Sequence, residues 1–207
     1  MFNDRYGLTD AVLDGRKTMT RRGITAPDKW HGIEVYGFSH VKGEHTLTLT
    51  DGDDFIIEDP DTGEIGQILP TYKIGEEVAI AQKYWDLRND DAFYEAVAKA
   101  DPSFPLECIE EEKGCNNKMF VKASWMPYRI RIVGIRVERL QDIGGRDFFR
   151  EGIYSVPAKE VMYSFDGCLK NFPTPREAFA ALIDKVSGKG TWESNPYVWV
   201  YSFELIK

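Results

Sequence analysis

At 207 residues and 43% hydrophobic content the chain can bury a sizeable core, while a formal net charge of −8 and a pI near 5.0 exclude the broadly basic surface that tight non-specific duplex binding requires. No apolar run approaches the roughly 20 residues of a membrane span, and Asp4 and Arg5 occupy the place of a signal peptide's apolar region, so a cytoplasmic protein is expected. The charge is uneven: from Asp51 to Glu112 there are 18 Asp/Glu against 4 Lys/Arg, a net of −14, which leaves the remainder of the chain at +6.

In chain order, Leu8, Ala11 and Val12 recur at helical spacing behind Thr9 as N-cap, predicting a short helix that stops at Gly15. Gly15-Arg16-Lys17-Thr18-Met19-Thr20-Arg21-Arg22 follows, with four cations and two hydroxyls in eight residues. As a strand it places Thr18, Thr20 and Arg22 on one face and Lys17, Met19 and Arg21 on the other. A bend is then needed for the Lys17 amine to meet the Thr20 hydroxyl. Neighbouring guanidiniums press a lysine pKa down, as a lysine that takes a proton near neutral pH requires, so the stretch reads as a threonine nucleophile with a lysine base. It reads equally as an anion-binding or merely solvated patch.

Glu34 to Thr50, with Lys42-Gly43 between candidate strands, predicts a hairpin. Asp51 to Asp54 and Asp59-Pro60-Asp61-Thr62-Gly63 read as acidic turns; they lack the ligand spacing and glycine position of a calcium loop. Val78 to Ala81 suits a buried barrel strand, and Tyr84-Trp85 behind it either cap a barrel or stack a base. Asp90 to Ala100 predicts a helix broken by Pro102 and Pro105. The acidic stretch from there to Asn117 completes an insertion near 86–117, after which Met119-Phe120-Val121 resumes strand character. Ile130, Ile132, Ile135 and Val137 give a long β-rich segment with a bulge near Gly134, and its arginines at 129, 131, 136 and 139 read as a solvated strand face. Asp142 to Gly152 is a turn and short helix leaving Glu151 at its C-terminus, where the helix dipole disfavours a carboxylate unless a cation compensates. Residues 154–173 carry little periodicity and predict a second loop insertion. Thr174-Pro175-Arg176-Glu177 is a capping box opening a helix to Gly188, and Val198, Val200 and Phe203 close the chain as a strand. Cys108, Cys115 and Cys168, odd in number and without metal-ligand spacing, predict free thiols.

Gly15-x-Lys17-x-x-x-x-Arg22 resembles the G-x-K-x-x-x-x-R motif of the ASCH domain family, small β-barrels similar to the PUA domain. Tyr72 to Val78, Arg129 to Ile143, Glu151-Gly152-Ile153 and Trp192 to Val200 also resemble, in order, the longer ASCH proteins of phages and prophages. The resemblance implies one α+β domain over residues 1–207: a small PUA-like β-barrel with flanking short helices and an acidic insertion. It implies a pocket for RNA or a modified nucleoside around Gly15, Arg16, Lys17, Thr20, Arg21 and Arg22, with Tyr84 and Trp85 as stacking candidates. At the end of the barrel strand the family commonly carries an arginine-glutamate pair, where this chain has Gln82 and Lys83. Some small ASCH proteins are amidohydrolases that deacetylate N4-acetylcytidine; their lysine and threonine fall on Lys17 and Thr20, and their glutamate matches Glu151 by its place after the long strand. In that reading Arg22 orients the substrate or buttresses Glu151. A third reading is an accessory role in phage particle assembly. None of these calls for a metal or cofactor.

Overall fold

The computed structural model describes residues 2–41, 43–51, 55–157, 160–166 and 168–206, so the expected turn at Gly52–Asp54 and the Lys42 half of the first hairpin turn lie outside the described residues. A 3-10 turn, Asp4–Tyr6, leads into α1, Leu8–Leu13, and Gly15, at φ 73°, ends the helix and releases the chain into β1, Met19–Gly23. Then come β2, Lys29–Trp30, β3, Ile33–Glu34, β4, Gly37–Ser39, β5, Leu47–Thr50, β6, Gln67–Ile68, and β7, Glu77–Ala79. The insertion carries α2, Asp91–Ala100, capped by the Asp90 side chain accepting from Ala92 N. The long β8, Arg129–Arg139, precedes α3, Asp147–Arg150; β9, Tyr154–Val156, and β10, Met162–Ser164, follow it. The chain closes with α4, Pro175–Ser187, α5, Thr191–Ser194, and β11, Tyr197–Ile206.

The architecture is α+β around a curled four-stranded antiparallel half-barrel, in the order β1-β11-β8-β7. Of the expected small barrel the described residues form this half, with β1 and β7 at its two edges. Because β11 is central, alternate side chains feed two cores. Val198 and Val200 pack with Phe148, Phe179 and Leu182 under α3 and α4, whereas Trp199, Tyr201 and Phe203 point into the curl with Val12, Leu47 and Ile132. Full burial of each such Leu, Val or Phe contributes roughly 1.5–3 kcal/mol. The register of β11 on β8 shifts between Ser202, opposite Gly134, and Phe203, opposite Ile132, which leaves Val133 as the extra residue of a bulge where the sequence placed it.

The turn at Asp59 forms, its carboxylate accepting from the Asp61 and Thr62 amides, and Thr174 caps α4 by accepting from Glu177 N. Two local readings are corrected. Residues 154–173 are not an unstructured loop: β9 and β10 pair, and Tyr163 bridges Phe172, because alternate residues of this short ribbon pack on the α4 core. Lys118–Phe120 is a 3-10 turn capped by Asn117, not a strand, and leaves Met119 and Phe120 exposed. Among the described residues no helix is long and apolar enough to cross a membrane.

The insertion has a core of its own, built on Tyr84, Phe93, Val97 and Trp125. Tyr84 is fully buried, sandwiched against Phe93 and Trp125, and its hydroxyl accepts from Lys122 N at 2.8 Å. It therefore cannot stack a base, and it belongs to the core of the insertion instead of capping the barrel. A Cβ on Gly114 would lie 2.5 Å from Tyr84 Cε2. The Gly114→Ala substitution is expected to cost about 1–3 kcal/mol of unfolding free energy, read from urea melts, because the ring is wedged and has nowhere to move. A neutral result would show that the Tyr84 cluster is loosely packed.

Candidate active site

Three local features bring the motif to Glu151. After Gly15 the Lys17 amide donates to Ala11 O at 2.7 Å, tying the chain back onto α1, and the Thr18 amide donates to Arg150 O at 2.9 Å, tying it onto the end of α3. Glu151 caps α3 and Gly152 follows at φ 103°, a conformation only glycine adopts without strain, which turns the chain away and leaves the Glu151 side chain facing the Lys17 stem. Residues 134 positions apart thus become neighbours. Lys17 Nζ donates to Glu151 Oε2 at 2.6 Å and to the Glu151 carbonyl at 2.9 Å, with both side chains nearly excluded from water.

The same carboxylate holds a second cation. Arg21 Nη1 donates to Glu151 Oε1 at 2.8 Å, while its Nε and Nη2 donate to Glu138 Oε1 at 3.0 and 2.6 Å. Glu138 and Asp147 in turn accept from Arg136, and Asp147 also pairs with Arg150, so Glu151, Glu138 and Asp147 join Lys17, Arg21, Arg136 and Arg150 in one connected network. Burial pushes the Lys17 pKa down from its ordinary value of 10.5; Glu151 pulls it back up, and Arg22 and Arg21 add to the depression.

These groups floor a cleft of about 600 Å³. Lys17, Thr20, Arg21, Arg22 and Glu151 all line it, and α4 supplies an apolar wall through Leu182, Ile183 and Val186. The alternation read from the sequence holds: Lys17, Met19 and Arg21 are buried on the α3–α4 side, while Thr20 and Arg22 lie on the opposite face. Both faces meet one cleft because β1 is an edge strand. Thr20 and Arg22 also line a smaller cavity of about 190 Å³ that reaches into the curl beside Tyr72 and Tyr201. The Thr20 hydroxyl makes no hydrogen bond to another described residue.

Other expected site residues fall elsewhere. Arg16 lies on the surface, paired with Asp14 and Asp166, outside the cleft. Trp85 is half-exposed, but it covers Arg88 at the rim of a different hollow on the insertion, so it does not meet a ligand held by Lys17. Arg21 was expected at the ligand surface; its side chain is only 1% exposed and spent on three carboxylates. Arg21, not Arg22, buttresses Glu151. Glu138, Arg136 and Asp147 were not among the expected site residues, and Arg136, read as part of a solvated strand face, instead holds both carboxylates. Among the described residues no group of three or more His, Cys, Asp or Glu side chains is arranged to hold a metal ion.

Lys17 titration has a measurable consequence for stability. With its folded pKa depressed, the unfolded chain binds the extra proton between that lowered value and 10.5, so the Lys17 contribution rises with pH through this window. The unfolding free energy of the wild type minus that of Lys17→Met, measured in urea from pH 7 to 10.5, is expected to climb with pH. A flat or falling difference would contradict the depressed pKa.

Comparison of the chain with protein-family models, with curated proteins and with solved structures finds no match.

Proposed function

We propose that the cleft at the β1 edge is a ligand site for a modified nucleoside or an unpaired RNA base, as the ASCH resemblance of its Gly15–Arg22 motif implies. The observation that carries the reading is the contact of Lys17 with Glu151 inside the cleft that also receives Thr20 and Arg22: the four positions picked out by one family pattern share one concavity. A volume of about 600 Å³ falls in the range of roughly 300–1,000 Å³ typical of small-molecule pockets. The apolar α4 wall suits the face of a base, and the cationic edge suits its exocyclic oxygens or a flanking phosphate.

A second reading, amide hydrolysis of an N4-acylated cytidine, is favoured by the donor pattern at Lys17. A neutral amine has two N–H bonds and one lone pair; Glu151 accepts two hydrogen bonds from Lys17, which leaves the lone pair for a substrate-side proton. In this reaction the Thr20 hydroxyl turns toward Lys17 as the substrate fills the cleft, since catalytic hydrogen bonds are often formed only in the complex. Lys17 takes the hydroxyl proton, Thr20 Oγ1 bonds to the acyl carbon, and the tetrahedral adduct collapses by breaking the carbon–nitrogen bond. The leaving amine takes the proton from the Lys17 ammonium. Water, deprotonated by the regenerated Lys17 amine, then attacks the threonine ester, and the adduct collapses by breaking the bond to Thr20 Oγ1, which takes the proton back from the Lys17 ammonium as the carboxylic acid leaves.

The test is incubation with a panel of free and N4-acylated nucleosides, with binding followed by calorimetry and deacylation by mass. Hydrolysis is expected to fall about 10²–10⁴-fold in both Thr20→Ala and Lys17→Ala, without additivity in the double variant, and to survive in part in Thr20→Ser. Binding without turnover leaves the first reading and removes the second. Binding of no nucleoside or RNA overturns both and favours the assembly role.

A further inference from the structure

We propose that Arg21 is a positioning residue that serves as the permanent counter-charge of Glu151, so that the Lys17 amine can give up its proton without leaving a buried carboxylate unpaired. Its use in catalysis rests on the hydrolytic reading above; the geometry and the titration that tests it do not.

The division of labour on the carboxylate is explicit. Oε2 takes Lys17 and Oε1 takes Arg21, so each oxygen has its own cation. If Lys17 were the sole partner, loss of its proton would strand an anion in a site where both side chains are 4% exposed or less. An uncompensated buried charge of that kind holds the proton on the lysine. A guanidinium removes the difficulty, because arginine stays protonated at every pH at which the protein is folded. A lysine in its place would itself be a titratable competitor.

Arg21 is in turn held where it is. Glu138 Oε1 accepts from both Nε and Nη2, which fixes the guanidinium plane and aims Nη1 at Glu151. Glu138 is oriented by Arg136 through its other oxygen, and Asp147 accepts from Arg136 and sits 3.5 Å from Arg21 Nη2. Charged groups around Lys17 are therefore Glu151 from the end of α3, Arg21 and Arg22 from β1, and Glu138, Arg136 and Asp147 behind Arg21; Asp4, Arg5 and Lys118 line the cleft farther out. Arg21 acts on Lys17 in two ways of the same sign. It satisfies Glu151, weakening the pull of the carboxylate on the lysine proton, and its own positive charge disfavours a second cation nearby.

The experiment is a pH titration of the lysine ¹³Cε resonances in protein grown with labelled lysine, with Lys17 assigned by its loss in Lys17→Met. In the wild type Lys17 is expected to deprotonate below the other lysines. In Arg21→Met its midpoint is expected to rise by at least about one unit, because Glu151 then has only Lys17 to hold. Should Arg21→Met fail to fold, Glu138→Gln gives the opposite prediction: one claimant on the guanidinium is gone, Arg21 turns more fully to Glu151, and the Lys17 midpoint falls. An unmoved midpoint in a folded variant of either kind, judged by circular dichroism, overturns the proposal. If the protein hydrolyses an acylated nucleoside, the rising, acid-side limb of its kcat/KM profile moves with the same midpoint. Absence of hydrolysis with the shifts intact removes the reaction and leaves the role of Arg21 standing.

Discussion

Glu151 between Lys17 and Arg21 is the contact around which the molecule is arranged, because a buried carboxylate constrains everything that touches it. Idealised transfer of a carboxylate or ammonium into a dry interior costs on the order of 20 kcal/mol, and several kcal/mol remain after relaxation, so such a group persists only with close, well-directed partners. Here both partners come from one short stretch, Lys17 just before β1 and Arg21 within it, and the carboxylate from the end of α3, far away in sequence. Each is tied down by backbone bonds, Lys17 N to Ala11 O and Thr18 N to Arg150 O. The network is poor evidence for stability as such, since apolar residues of equal volume often serve folding better.

The half-barrel makes the arrangement possible through the edge position of β1. A central strand has each face covered by a different core, as β11 shows with Val200 on one side and Tyr201 on the other. An edge strand opens both faces to one concavity, so that the alternation of Lys17 and Arg21 against Thr20 and Arg22 does not separate them into different environments. The free edge of β1 is thereby occupied by a site instead of by another strand, and the cations along it discourage edge-to-edge pairing.

Much of this was legible in local patterns and little of it in composition. The α1 stop at Gly15, the capped α4, the bulge beside Gly134 and the Glu151 cap are all short-range signals, set by glycine conformations, capping chemistry and strand alternation. A carboxylate at a helix C-terminus even announced its need for a compensating cation. What remained hidden were choices among equivalent residues. Arg21 and Arg22 look alike in sequence, and only the partners of β1 decide which one is buried. Likewise Tyr84 and Trp85 are adjacent aromatics, and the 3-10 turns of the insertion, folding Gly114 against one ring, bury the first and leave the second outside. The ribbon at β9 and β10 escaped because strands of three residues carry too few positions for alternation to register.

The acidic insertion takes its place by structure and not by charge. None of the described residues from Asp51 to Glu112 lines the Lys17 cleft, so the acidic side chains among them add no carboxylate to its walls. Its connection to the cleft is made beyond the acidic run, where Lys118 donates to the Phe2 carbonyl and pairs with Asp4. Asp4 also accepts from the Thr9 hydroxyl on α1. Phe2 to Arg5 are thus tied to α1 and to Lys118 and become a wall of the cleft. An insertion with its own aromatic core provides a rigid base for that clamp. Through that clamp the insertion fixes Phe2 to Arg5 in the lining of the same cleft as Thr20 and Arg22.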